Sequence, residues 1–142
     1  MTRIEFYSNA DPKLHVACQL VAKAFQDAKR VLVLVPDEPV CRTMDRLLWT
    51  FQATGFIPHC MSHDALASET PVLIARDGTS LPHDEVLLNL SEQCPSFFAR
   101  FERLIEVVGR DDVDKQLGRN RYRFYRDRGF EIAHKNWSES LT

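Results

Sequence analysis

The run KRVLVLVPDEP, residues 29–39, decides the architecture of this chain. From Val31 to Val35 it sets five apolar, mostly β-branched residues in a row without polar alternation, the pattern of a parallel strand covered on both faces. Pro36 and Asp37 punctuate the run. Glu38 to Phe51 then takes up helical spacing, with Met44, Leu47, Leu48 and Phe51 available for packing. Upstream, Ile4, Phe6 and Tyr7 read as a short strand, and Asn9, Asp11 and Pro12 as turn and helix-start signals. Leu14 to Ala28 follows as a helix with Leu14, Ala17, Cys18, Val21, Ala24 and Phe25 on one face. Strand, helix, strand, helix is the signature of an α/β domain.

Downstream, Phe56–Met61 (FIPHCM) reads as a short strand and Ser62–Thr70 as a polar loop. Pro71–Ala75 and Val86–Leu90 are further buried strands, separated by the turn-rich RDGTSLPHD. A helical turn through Phe97 and Phe98 leads to an apolar segment at Leu104–Val108. Gly109 breaks the chain, and Gly129 stands where a left-handed cap would end the last helix. Without internal repeat, low-complexity tract or linker, residues 1–142 read as one domain. The expected fold is a mostly parallel twisted sheet flanked by helices, Rossmann-like but lacking a phosphate loop.

With 142 residues, 44% hydrophobic and 27% charged, the composition is that of a soluble globular protein. No apolar run approaches the ~20 residues needed to cross a bilayer, and MTRIEFYSNADPK lacks a signal-peptide segment, so a cytoplasmic location is expected. Cys18, Cys41, Cys60 and Cys94 are far apart and form no CxxC pair, which predicts reduced, mostly buried thiols.

Several chemistries lack their residues. The loop after the central strand, PDEPV, has neither GxxxxGK[ST] nor GxGxxG, and Asp37 and Glu38 would repel a phosphate. His59, Cys60 and His63 lie close together, but no second Cys or His cluster completes a tetrahedral zinc site. No Ser or Cys occupies a nucleophile motif such as GxSxG. The sequence therefore argues against an enzyme, a nucleotide hydrolase included, and predicts no metal or cofactor.

One feature does point to a partner. In KQLGRNRYRFYRDRGF, residues 115–130, six basic side chains stand against Asp127 alone, a formal +5 in a chain whose net charge is −2. At about 100° per residue, Lys115, Arg119, Tyr122 and Arg126 share one helical stripe, while Val113, Leu117 and Phe124 fall on the other face. One side is thus expected to pack on a core while the other presents cations around an aromatic ring. A basic patch on an acidic body suits a defined anionic ligand. It equally suits an ordinary solvated helix face, with Asp111, Asp112 and Asp114 complementing the helix start. Arg and Tyr together could also grip phosphates and stack bases, so direct nucleic-acid binding through this helix is the alternative function. Trp49 and Phe56 flank the loop after the second helix, where large aromatics serve interfaces, although aromatics in general favour core packing.

The ordered set of motifs resembles the chi subunit of bacterial DNA polymerase III holoenzyme. It comprises FY at Phe6 and Tyr7, KRVLVLV from Lys29, MDRLLW ending at Trp49, FIPH from Phe56, and the stretch from Lys115 to Trp137, whose residues 115–130 fit the family pattern K-Q-L-x-R-x-R-Y-x-x-Y-R-x-x-G-F. The resemblance implies a noncatalytic clamp-loader accessory protein. Such a protein binds the acidic, hydrophobic C-terminal tail of single-stranded DNA-binding protein on one surface and the psi subunit on another, where a repair helicase can also dock. Carried over residue by residue, Lys115 and Arg119 would hold the tail's charges, with Arg123 an added cation where the family commonly has Lys. Val108 and Tyr122 would form the apolar part of the pocket. Trp49 and Phe56 would belong to the psi and helicase surface, reversing the core reading. The loop Ser62–Thr70 departs from the Gly-rich versions in relatives, so no contact is carried over there.

Overall fold

A computed structural model of the chain describes residues 1–50, 57–78 and 81–137. Among them, seven strands form one sheet: β1 (Arg3–Ala10), β2 (Val31–Leu34), β3 (His59–Met61), β4 (Val72–Ala75), β5 (Val86–Asn89), β6 (Arg103–Gly109) and β7 (Ile132–Asn136). Their order is β3-β4-β2-β5-β6-β1-β7, and every neighbouring pair is parallel. Helices α1 (Lys13–Gln26), α2 (Glu38–Thr50) and α3 (Asp112–Asp127) flank the sheet. None of the described helices is long and apolar enough to cross a membrane.

The VLVLV run explains the layering. β2 lies between β4 and β5, and all four of its residues are buried. Because successive Cβ atoms point to opposite faces, Val31 and Val33 enter the core that includes Val16, Val21, Met44 and Leu48 of α1 and α2. Leu32 and Leu34 enter the other core, with Phe6, Phe98, Phe101, Leu104 and Tyr125. Each fully buried aliphatic side chain contributes about 1.5–3 kcal/mol relative to exposure. Placing five consecutive apolar residues in one central position therefore strongly favours a strand covered by helices on both sides.

The expected elements are present with modest changes of boundary. β1 runs on through Asn9, which has φ of 56°, to Ala10. Of the described residues in the strand read over 56–61, His59–Met61 form β3, while Phe56 and Phe51 lie outside the described residues, as does the end of the chain from Ser138. The strand β7 has no counterpart in the sequence reading. All four cysteines are free thiols, two of them buried and two half-buried.

The orientation of α3 corrects the sequence reading. Asp111 caps the helix, its Oδ1 accepting the Asp114 N–H at 2.9 Å, and Gly129, at φ of 85°, follows its end in the expected left-handed conformation. The face buried against the sheet, however, is Gly118, Arg121 and Tyr125, and of the apolar positions Val113, Leu117 and Phe124 only Phe124 packs, partly buried, against the core around Phe98. Val113 is 71% exposed, and Leu117 and Phe124 are only partly buried. Two contacts set this rotation. A side chain at Gly118 would put its Cβ 2.7 Å from Cγ2 of Val108 on β6, so only glycine allows the backbones to approach this closely. One turn further on, Arg121 and Tyr125 reach a carboxylate buried in the sheet.

Candidate functional site

That carboxylate is Glu106, which interrupts the apolar run of β6 and is fully buried. Its Oε1 accepts from Arg121 Nε at 2.9 Å, and its Oε2 accepts from the Tyr125 hydroxyl at 2.6 Å and Asn89 Nδ2 at 2.9 Å. Burial pushes the Glu106 carboxyl above the ordinary range, against the opposing pull of Arg121, Tyr125 and Asn89. It pushes the Tyr125 hydroxyl upward as well, with Glu106 adding to the effect. Arg121 is 2% exposed and also donates from Nη1 to the Glu92 carbonyl at 3.1 Å. One of the six cations counted in the basic stretch is therefore structural. It anchors α3 and leaves the surface.

With Arg121 and Tyr125 turned inward, Lys115, Arg119 and Tyr122 turn toward a pocket between α3 and the β1–β7 edge of the sheet. Its volume is about 450 Å³. Phe6, Val108 and Gly118 give it an apolar floor, Lys115, Arg119 and Tyr122 form one wall, and Ser8, Asn9 and His134 form the other. The Tyr122 ring is held edge-on to Phe6, with ring centroids 5.3 Å apart. Among the described residues neither Lys115 nor Arg119 is in an ion pair. Two cations thus stand over an apolar recess with their charge uncompensated by a neighbouring carboxylate, an arrangement suited to a small group carrying both an anion and an apolar side chain.

Of the tail-site residues proposed from sequence, Val108, Lys115, Arg119 and Tyr122 converge on this pocket. Arg123 does not line it. It is exposed and donates from Nη2 to Asn120 Oδ1 at 2.7 Å. Arg126, placed on the stripe by spacing, is exposed and pairs with Asp127 at 3.3 Å. Arg128 stacks its guanidinium 3.4 Å from the Phe124 ring centroid. The second wall was missed, because Ser8 and Asn9 follow a short strand without any motif and His134 lies on the unread β7.

Trp49, near the end of α2, is 56% exposed and sets its ring edge-on to His59, with centroids 5.2 Å apart. It is not a core residue. His59 itself is buried, with Nδ1 2.7 Å from the Ile57 carbonyl and Nε2 3.1 Å from Asp45 Oδ1.

The fold and the pocket define an open, all-parallel α/β protein whose charged recess lies beneath a helix on one sheet face rather than at a glycine-rich phosphate loop. The family model described as DNA polymerase III chi subunit, HolC, matches residues 1–133, and the chain belongs to that family. Curated relatives named DNA polymerase III subunit chi agree. The one from Pseudomonas aeruginosa is 34% identical over 93% of this chain and 94% of its own length. Those from Haemophilus influenzae and Escherichia coli are 31% and 30% identical, covering 85% and 86% of this chain and 85% and 84% of theirs.

Proposed function

We propose that this protein is a noncatalytic accessory subunit of DNA polymerase III that tethers the clamp loader to coated single strands. The pocket under α3 takes the acidic, apolar-ended C-terminal tail of single-stranded DNA-binding protein, and a separate surface around Trp49 and Phe56 takes the psi subunit. The observation that carries this reading is the convergence of Val108, Lys115, Arg119 and Tyr122 in one recess. A bulky terminal side chain rests on Phe6 and Val108 beside Tyr122 while Lys115 and Arg119 hold the terminal carboxylate, Arg by two-point contact. Exposed charge pairs contribute only about 0–1 kcal/mol each, so binding is micromolar in scale, weakened by salt and dependent on several contacts together.

Anisotropy titration of a labelled peptide copying the tail, beside a labelled single-stranded oligonucleotide, tests this function. Saturable peptide binding that is lost when the terminal apolar residue is removed supports it. Tight oligonucleotide binding without peptide binding favours the nucleic-acid alternative instead.

A further inference from the structure

The wall of the pocket formed by α3 is chemically one-sided. Lys115 and Arg119 can donate hydrogen bonds but cannot accept them. A peptide whose carboxylate they hold brings, two bonds from the carboxylate carbon, the N–H of its terminal residue into the same recess. An N–H drawn out of water without an acceptor costs free energy comparable to a lost hydrogen bond. Apart from the Tyr122 hydroxyl, the side-chain acceptors lining the pocket are on the opposite wall, where Ser8 Oγ and His134 Nε2 lie 2.9 Å apart and Asn9 is fixed by its Nδ2 donating to Asn136 Oδ1 at 3.1 Å. Register places this wall. Phe6 pairs with His134 and Ser8 with Asn136, so Phe6, Ser8 and His134 share the sheet face beneath α3. If the His134 ring donates, one lone pair of Ser8 Oγ stays open. If the hydroxyl donates to the ring, both do.

From this geometry we propose that the β1–β7 wall reads the main chain of the bound peptide. Ser8 Oγ, held by His134, accepts the N–H of the terminal residue while α3 holds the terminal carboxylate. Recognition then extends beyond negative charge and an apolar side chain to the last peptide bond itself. An anionic, apolar-ended molecule without that N–H is discriminated against. This inference rests on the tail-binding reading of the same pocket.

The test uses two labelled acidic peptides ending in Leu-Phe with a free carboxylate. They are identical except that in one the last amide is replaced by an ester, with phenyllactate in place of the terminal Phe, which exchanges the N–H donor for an oxygen and also weakens the preceding carbonyl as an acceptor, an effect common to wild type and variant. Each is titrated against the wild-type protein and Ser8→Ala. The wild type is expected to bind the amide peptide roughly three- to tenfold more tightly than the ester, as one net hydrogen bond implies. Ser8→Ala is expected to bind both with similar affinity, near that of the wild type for the ester. Because the two peptides are compared on the same variant, any general loosening of the pocket cancels. Equal affinity of the wild type for both peptides, or an amide preference that survives in Ser8→Ala, overturns the inference and leaves the tail site standing. Failure of the wild type to bind either peptide overturns the tail reading, and this one with it.

Discussion

Replacing Gly118 with alanine tests how α3 is seated. In an exposed helix the change would stabilise the protein, because glycine costs about 1 kcal/mol relative to alanine in a helix interior. Here the new Cβ would lie 2.7 Å from Val108 Cγ2 and 3.1 Å from Cγ1, whereas comfortable carbon contacts fall at about 3.5–4.0 Å. Val108 is β-branched, sits on a central region of a buried strand and has few rotamers to retreat into. The helix must therefore move outward by up to about 1 Å or the valine must leave its well. Such overpacking costs about 1–3 kcal/mol, which outweighs the propensity gain and leaves a net loss of about 1 kcal/mol. The same movement carries Arg119 and Tyr122 away from Phe6, so peptide affinity is expected to fall by roughly threefold or more. Urea denaturation measures the first effect and anisotropy the second. Gly118→Ala combined with Val108→Ala should show a favourable coupling of about 1–2 kcal/mol in stability, because removing the valine methyls opens the space the new Cβ needs. Stabilisation of the single variant by about 1 kcal/mol with unchanged binding would refute the close seating of α3 on β6.

Neighbouring arginines should behave oppositely. Arg119→Ala is expected to weaken tail binding while leaving the melting temperature nearly unchanged. Arg121→Ala strands Glu106 without its charge partner and should cost about 3–5 kcal/mol, so similar melting curves for the two variants would contradict their assignment. The Glu5 carboxylate, bonded by Arg103 Nε at 2.8 Å and Nη2 at 2.7 Å, is raised by burial but pulled lower still by Arg103, for a net depression below the ordinary 4.5. Its contribution is therefore complete above about pH 4.5 and is lost as pH falls through the depressed folded value. Denaturation midpoints between pH 3 and 6 should fall more steeply for the wild type than for Glu5→Gln, and parallel profiles would count against the pair. Trp49→Ala should impair capture of the psi subunit while the tail peptide binds normally. Equal impairment of both in pull-down and anisotropy would argue against two separate surfaces.

The central strand was legible because VLVLV carries its own instruction. Five buried positions leave no exposed face, and the alternation of valine and leucine divides them between the two cores. The rotation of α3 was not legible from helical spacing, which ranks faces by apolarity. The sheet-facing positions are a glycine, an arginine and a tyrosine, and none of them looks like core on such a scale. One signal was nonetheless present in the sequence. Glu106 stands inside LIEVV, and a carboxylate in a buried strand requires a partner of opposite charge, which the basic helix that follows was positioned to supply. β7 escaped notice for the opposite reason. As an edge strand with Ala133, His134 and Lys135 exposed, it shows neither a continuous apolar run nor a buried face, and its pairing with β1 is settled by the chain reversal at Gly129 rather than by local pattern. The cationic half of the pocket could therefore be read from sequence. The half built by Ser8, Asn9 and His134 required the register of β1 and β7.

Backbone amide chemical-shift mapping with the acidic peptide tests the location of the tail site most directly. Saturable shifts concentrated at Val108, Lys115, Gly118, Arg119 and Tyr122, absent with a peptide lacking its terminal apolar residue, are the expected result. Shifts centred on Trp49, or none at peptide concentrations well above the micromolar range, would contradict the assignment of this pocket.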